Sequence, residues 1–111
     1  MEITESQIPQ GTVLELSGRL DGIASPAVDN RVNALVAAEV RRVIFDCSRL
    51  SYASSAGLRV FLSSAKKLKS VGGQVVVTGL VPSVKEVFAL SGFLDVLTVY
   101  PSLADAVKSL K

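Results

Sequence analysis

The chain has 111 residues, 49% of them hydrophobic and 20% charged, which fits one globular domain and leaves no room for a second, catalytic one. Its 12 Lys and Arg stand against 10 Asp and Glu, with 5% aromatics and no Trp, so neither the charge imbalance nor the stacking platforms of a nucleic-acid binder are present. With no His and a single Cys, an intrachain disulfide and Ser-His-Asp or Cys-His catalysis are excluded, and most ligands for a zinc site are gone.

The opening Met1-Glu2-Ile3-Thr4-Glu5 lacks the basic and apolar regions of a secretory signal, and no apolar run approaches the ~18 residues that cross a bilayer. A cytoplasmic protein without membrane insertion is expected. Ile3 to Ile8 reads as a weak strand, Pro9-Gln10-Gly11 as a turn and Thr12 to Leu16 as a stronger strand, together an N-terminal hairpin. Ser25-Pro26 offers an N-cap followed by Pro in the first turn, and Val28, Val32, Leu35 and Val36 follow on one helical face.

Val43-Ile44-Phe45, closed by Asp46, suits a strand buried on both faces. Leu58, Phe61, Leu62, Ala65 and Leu68 then mark a second amphipathic helix from about Ser55 to Ser70, stopped by Gly72-Gly73. Gln74 to Thr78 is a further strand. Pro82 opens a third helix with Val84, Val87 and Phe88 inward, and Ser91-Gly92 stops it. Asp95 to Tyr100 is the last strand, and Ser102 with Asp105 caps a fourth helix.

The order ββαβαβαβα calls for parallel strands joined through helices. The expected fold is α/β: one small mixed sheet with an antiparallel N-terminal hairpin, βαβ units and four helices. In such sheets functional residues gather where strands end and helices begin. Three junctions qualify, Asp21-Gly22, Asp46-Cys47-Ser48 and Ser54-Ser55-Ala56-Gly57, and all three are expected at one end of the sheet.

The stretch from Asp46 to Leu62 resembles the signature of the STAS domain, the fold of bacterial anti-sigma factor antagonists. That signature joins a strand ending in Asp-x-Ser, here Asp46-Cys47-Ser48, to a helix opening with Asp-Ser-Ser-Gly-Leu, here Ser54-Ser55-Ala56-Gly57-Leu58. The element order, the Gly18-Arg19-Leu20-Asp21 turn and the Gly72-Gly73 break fit as well, so the resemblance spans essentially the whole chain. Anchored on Gly57-Leu58, it puts Ser55 at the family's phosphorylated Ser. This chain departs from the family at Ser54, where an Asp is usual, and at Ala56, where a Ser is usual; Ser54 thereby becomes a second phosphoacceptor candidate.

The resemblance implies a binding module without enzymatic activity or cofactor, monomeric or weakly dimeric. Unphosphorylated, such a module binds an anti-sigma factor, itself a serine kinase of the histidine-kinase-like ATPase fold, and frees the sigma factor. The kinase phosphorylates Ser55 and breaks the complex, and a manganese-dependent serine phosphatase resets it. The implied contact surface comprises Asp21, Ser54, Ser55, Gly57, Arg59 and Ser63, with Asp46 and Ser48 as structural residues near the site.

The residues alone are less specific. A Ser in the first turn of a helix sits beside unpaired backbone N–H groups and accommodates a phosphate there, while about −1.5 to −2 charge is added to a surface that a partner must desolvate. Apart from the resemblance, such a Ser is first of all a plain N-cap, and that stays the favoured reading for Ser54. Asp21 reads equally as a turn residue or as a docking residue, and Asp46 as an acceptor for the N–H groups of the loop that follows. Cys47 reads as a small core hydrophobe, and Lys66, Lys67 and Lys69 as a solvated helix face.

Two other functions fit the same elements: an unphosphorylated scaffold subunit of a transport or stress-sensing complex, and a small Ser-dependent phosphohydrolase. Without His, the hydrolase needs a Lys or carboxylate base; the nearest lysines in sequence, Lys66 and Lys67, lie about three helical turns from Ser55, about 16 Å, which excludes that pair and leaves distant residues such as Lys85 open.

Overall fold

A computed structural model describes residues 1–110. The hairpin forms first: β1 (Glu2–Ile8) and β2 (Gly11–Leu20) pair antiparallel from Ile8↔Gly11 to Glu2↔Ser17. β3 (Arg42–Ala53), β4 (Gln74–Thr78) and β5 (Thr98–Tyr100) then add in parallel, so the sheet order follows the chain, β1-β2-β3-β4-β5. Between the strands run α1 (Ser25–Ala37), α2 (Ser55–Ser70) and α3 (Pro82–Leu90), and α4 (Leu103–Ser109) closes the described chain. The expected order and mixed sheet are present. No helix among the described residues is long and apolar enough to cross a membrane.

Alternation along the strands divides the sheet into two faces. Leu14, Phe45 and Val77 point to the face covered by α1, α2 and α3, where Val28, Val32, Leu35, Leu58, Phe61, Leu68, Val84 and Phe88 complete the main core. Aromatic rings run through it: Phe61 lies edge-on to Phe45 at 5.1 Å between centroids and 5.3 Å from Phe88, which meets Phe93 at 6.1 Å. Val13, Ile44 and Val76 point the other way, against Ala106 and Leu110 at the α4 end of the chain.

Several elements differ from expectation. β3 does not end at Asp46 but continues to Ala53 beside a β2 that itself reaches Leu20. Beyond Asp46 the buried residues come every third position, at Cys47, Leu50 and Ala53, because register shifts between Glu15 and Ser17 and between Gly18 and Arg19 bend the pair. A two-residue period cannot find such a strand. β5 starts at Thr98 rather than Asp95, since Phe93–Asp95 form a 3₁₀ turn.

Ser25 is not the cap of α1. Ala24 occupies that position without a side-chain cap, and the Ser25 hydroxyl donates instead to the Asp21 carbonyl at 2.6 Å. Val87 is only partly buried, whereas Val60 and Ser64 of α2 are buried beside the expected stripe. Lys67 is not simply solvated, because its Nζ meets Asp29 Oδ1 of α1 at 3.5 Å and ties the two helices together.

Candidate functional site

The start of α2 is fixed by three local interactions. Ser54 is the N-cap: its backbone is extended, and its Oγ accepts the Gly57 N–H at 3.1 Å, satisfying one of the helix's orphan donors. The Ser54 N–H donates in turn to the Leu20 carbonyl at 2.9 Å, which stitches the helix start to the end of β2. Gly57 makes this closeness possible. A Cβ there would lie 2.3 Å from the Leu20 carbonyl oxygen, so only glycine lets the first turn seat on the strand.

Ser55 follows the cap as the first residue of the helix and is exposed. Among the described residues its hydroxyl has no hydrogen-bond partner. Arg59, one turn on, is also exposed and likewise makes no hydrogen bond or ion pair among them. Ser63 is half-buried.

The turn that follows β2 abuts this helix start, since a Cβ on Gly22 would come within 3.8 Å of the Ala56 methyl. Asp21 organises the turn. Its Oδ1 accepts the Ala24 N–H at 3.0 Å and the Ile23 N–H at 3.1 Å, while its carbonyl accepts from the Ser25 N–H and hydroxyl. These bonds, the Ala24 N–H foremost and the Ile23 N–H and Arg19 charge assisting, outweigh slight desolvation and hold the carboxyl below its ordinary value of 3.8. The turn presents Ile23 to solvent at 92% exposure. On the strands behind it Arg19 stacks over the Tyr52 ring at 4.1 Å.

The Asp21 turn, Ser54 and Gly57 thus meet where the end of β2 joins the start of α2, and Ser55 and Arg59 are exposed one helical turn apart on that helix. Two of the expected contact residues are less exposed than Ser55 and Arg59. Gly57 is buried, so it shapes the surface from beneath instead of touching a partner, and Ser63 presents only part of itself. The three-junction expectation is also revised. Asp46 pairs with Glu15 of β2 and with Thr78 at the end of β4, five residues short of Leu20, about 17 Å along the strand. The C-terminal edge of the sheet is stepped, because β4 stops where β3 continues.

Asp46 and Ser48 therefore sit on the lower step, away from Ser55. There the Asp46 Oδ1 accepts the Ser48 N–H at 3.1 Å. The same step holds Gly79 in a left-handed conformation, where a Cβ would crowd Ser48 and Asp46. Cys47 is fully buried; burial, with the Asp46 charge adding to it, pushes its thiol up, which leaves it unreactive.

A base within reach of Ser55 is absent from its own helix, as the distance to Lys66 and Lys67 requires. Lys85 lines a groove with Leu80, Tyr100 and Pro101 on the β4–β5 side. No group of three or more potential metal ligands occurs among the described residues. The helix start and the turn beside it therefore present a hydroxyl, a guanidinium and an apolar side chain to solvent.

Comparison with known proteins gives this arrangement its lineage. The STAS domain family model matches residues 2–106. The chain belongs to the STAS domain family. It is 44% identical over 96 residues, 83% of each chain, to the "Putative anti-sigma factor antagonist BtrV" of Bordetella bronchiseptica. Its fold is that of an anti-sigma factor antagonist from Mycobacterium paratuberculosis, with a TM-score of 0.89 at 24% identity over 98% of this chain and 92% of that one. The Bacillus cell-fate determinant SpoIIAA in its phosphorylated form gives 0.76 at 20% identity, covering 99% and 100%.

Within this STAS domain the turn at Asp21 was the residue group least determined by the sequence, and the structure gives its carboxylate a bracing role. Because the turn binds the ionised form, Asp21 contributes stability above its ordinary value of 3.8 and loses it as the pH falls below. Asp21→Ala is expected to melt below the wild type at neutral pH, with the gap narrowing as the pH falls below 3.8. A gap that stays constant through acid, followed by circular dichroism, contradicts the brace.

Proposed function

We propose that the chain is an anti-sigma factor antagonist whose partner binding is switched by phosphorylation of Ser55. Unphosphorylated, it binds an anti-sigma factor serine kinase of the histidine-kinase-like ATPase fold through the Asp21 turn and the start of α2, and frees the sigma factor. A manganese-dependent serine phosphatase returns the phosphorylated form to the binding state. The module acts in the cytoplasm and performs no catalysis itself.

The observation that carries this reading is the division of labour between two adjacent serines. Ser54 spends its hydroxyl on the cap, whereas Ser55 is exposed and unengaged on a surface that also presents Ile23 and Arg59. A phosphate on Ser55 leaves the cap intact, so it alters the surface without unfolding the domain. The names of the 44%-identical relative and of the antagonists sharing the fold support the role.

The test is phosphopeptide mapping of the chain isolated from its own cells, alongside Ser55→Ala and Ser54→Ala. Phosphate on Ser55, abolished in Ser55→Ala and retained in Ser54→Ala, is expected. Ser55→Ala should remain within about 0.5 kcal/mol of wild-type stability, as for other exposed positions. Phosphate confined to Ser54, or absent under every growth condition, overturns the assignment.

A further inference from the structure

We infer that Arg59 is the intramolecular partner of the phosphate on Ser55, so that phosphorylation withdraws this guanidinium from the binding surface while adding negative charge to it. The inference rests on the phosphorylation of Ser55 proposed above and concerns what the phosphate then touches.

Ser55 and Arg59 are four residues apart within α2, a helix continuous from Ser55 to Ser70. Residues at that spacing are neighbours on one face, with Cβ atoms about 5–6 Å apart. Helical side chains lean towards the N-terminus, so the long arm of Arg59 extends over the turn that carries Ser55. An acidic group N-terminal to a basic one at this spacing is the more favourable order. A planar guanidinium also suits the phosphate's oxygens, to which it can donate two parallel bonds.

Arg59 is uncommitted. The ion pairs among the described residues are Arg31 with Glu5 and Lys67 with Asp29, and Arg59 enters neither. The other charges near the helix start are already occupied: Asp21 braces its turn, and Arg19 lies over Tyr52. The unphosphorylated domain therefore shows a partner a neutral hydroxyl beside a free cation. The phosphorylated domain shows an anion in which that cation is engaged.

The test uses protein carrying phosphoserine installed at position 55 during translation, titrated by ³¹P NMR. Arg59 favours the dianion, so Arg59→Gln is expected to raise the second pKa of the phosphate by about 0.2–0.4 pH unit. Arg59→Lys should retain part of the effect, and 1 M salt should remove most of the difference between wild type and Arg59→Gln. The helix N-terminus and Asp21 are common to all three proteins, so their influence cancels. An unchanged titration in Arg59→Gln overturns the inference even if Ser55 is phosphorylated in cells. Absence of phosphate from Ser55 in cells overturns the functional reading and leaves the titration result standing.

Discussion

Phe61→Ala is expected to lower the free energy of unfolding by about 3–5 kcal/mol, the usual cost of emptying a fully buried phenylalanine site. Phe61 has no exposed surface and lies between Phe45 and Phe88, the points where α2 meets β3 and α3. Truncation removes both ring contacts and leaves a cavity whose walls belong to three different elements, so no single side chain can collapse to fill it. Domains of this size are stable by roughly 5–15 kcal/mol in total, and the variant should unfold at a much lower urea midpoint with little change in slope. A loss below about 1 kcal/mol, within the range of ordinary surface substitutions, is incompatible with the packing described.

Gly57→Ala is expected to do comparable damage through a different mechanism. Alanine is the better helix former by about 1 kcal/mol, so an isolated α2 would gain from the change. In the folded chain the added methyl meets the Leu20 carbonyl at 2.3 Å, and that carbonyl already accepts the Ser54 N–H. The nearest atom is backbone, so a shift of the Leu20 side chain, whose Cγ would lie at 2.9 Å, does not relieve the clash. Either the helix start lifts from β2 or the domain loses at least about 3 kcal/mol, the upper end of ordinary overpacking costs. Urea unfolding, paired with amide chemical shifts at Ser54, Ser55 and Leu20, reports both effects. Wild-type stability with unperturbed shifts contradicts the seating of α2 on β2.

What could be read from the sequence follows the physics of each signal. The span of α2, the capping role of Ser54 and the five residues of β4 were recoverable because each rests on local chemistry: a 3.6-residue stripe, a side-chain oxygen beside unpaired N–H groups, and a short apolar run between glycines. The extension of β3 through Ser48-Arg49-Leu50-Ser51-Tyr52-Ala53 was not, because its bulges arise from pairing with β2, a partner 30 or more residues away in the chain. The stepped sheet edge follows from that extension past the end of β4, and with it the separation of Asp46 and Ser48 from Ser55. A hint was available in Cys47, Leu50 and Ala53, whose three-residue spacing fits neither a flat strand nor a loop.

At the candidate site, residue types point to individual side chains but not to the division of roles among them. Nothing local distinguishes an Asp that braces a turn from one that docks a partner, and the difference at Asp21 lies in where the Ile23 and Ala24 N–H groups point. Ile23 escaped notice for the opposite reason. A lone isoleucine after Asp-Gly carries no periodic pattern, and its near-complete exposure emerges only once the turn is closed beside the helix start. Polar chemistry in the sequence points to the Ser55 hydroxyl and the Arg59 guanidinium of the proposed surface and gives no sign of Ile23.

The switch itself is tested most directly by a pull-down from cytosol of the source organism, with wild type, Ser55→Ala and Ser55→Asp as baits and the retained proteins identified by mass spectrometry. A serine kinase of the histidine-kinase-like fold held by Ser55→Ala and lost from Ser55→Asp is the predicted result. Retention of the same partner by all three baits contradicts a phosphoswitch at Ser55 and makes the domain a scaffold.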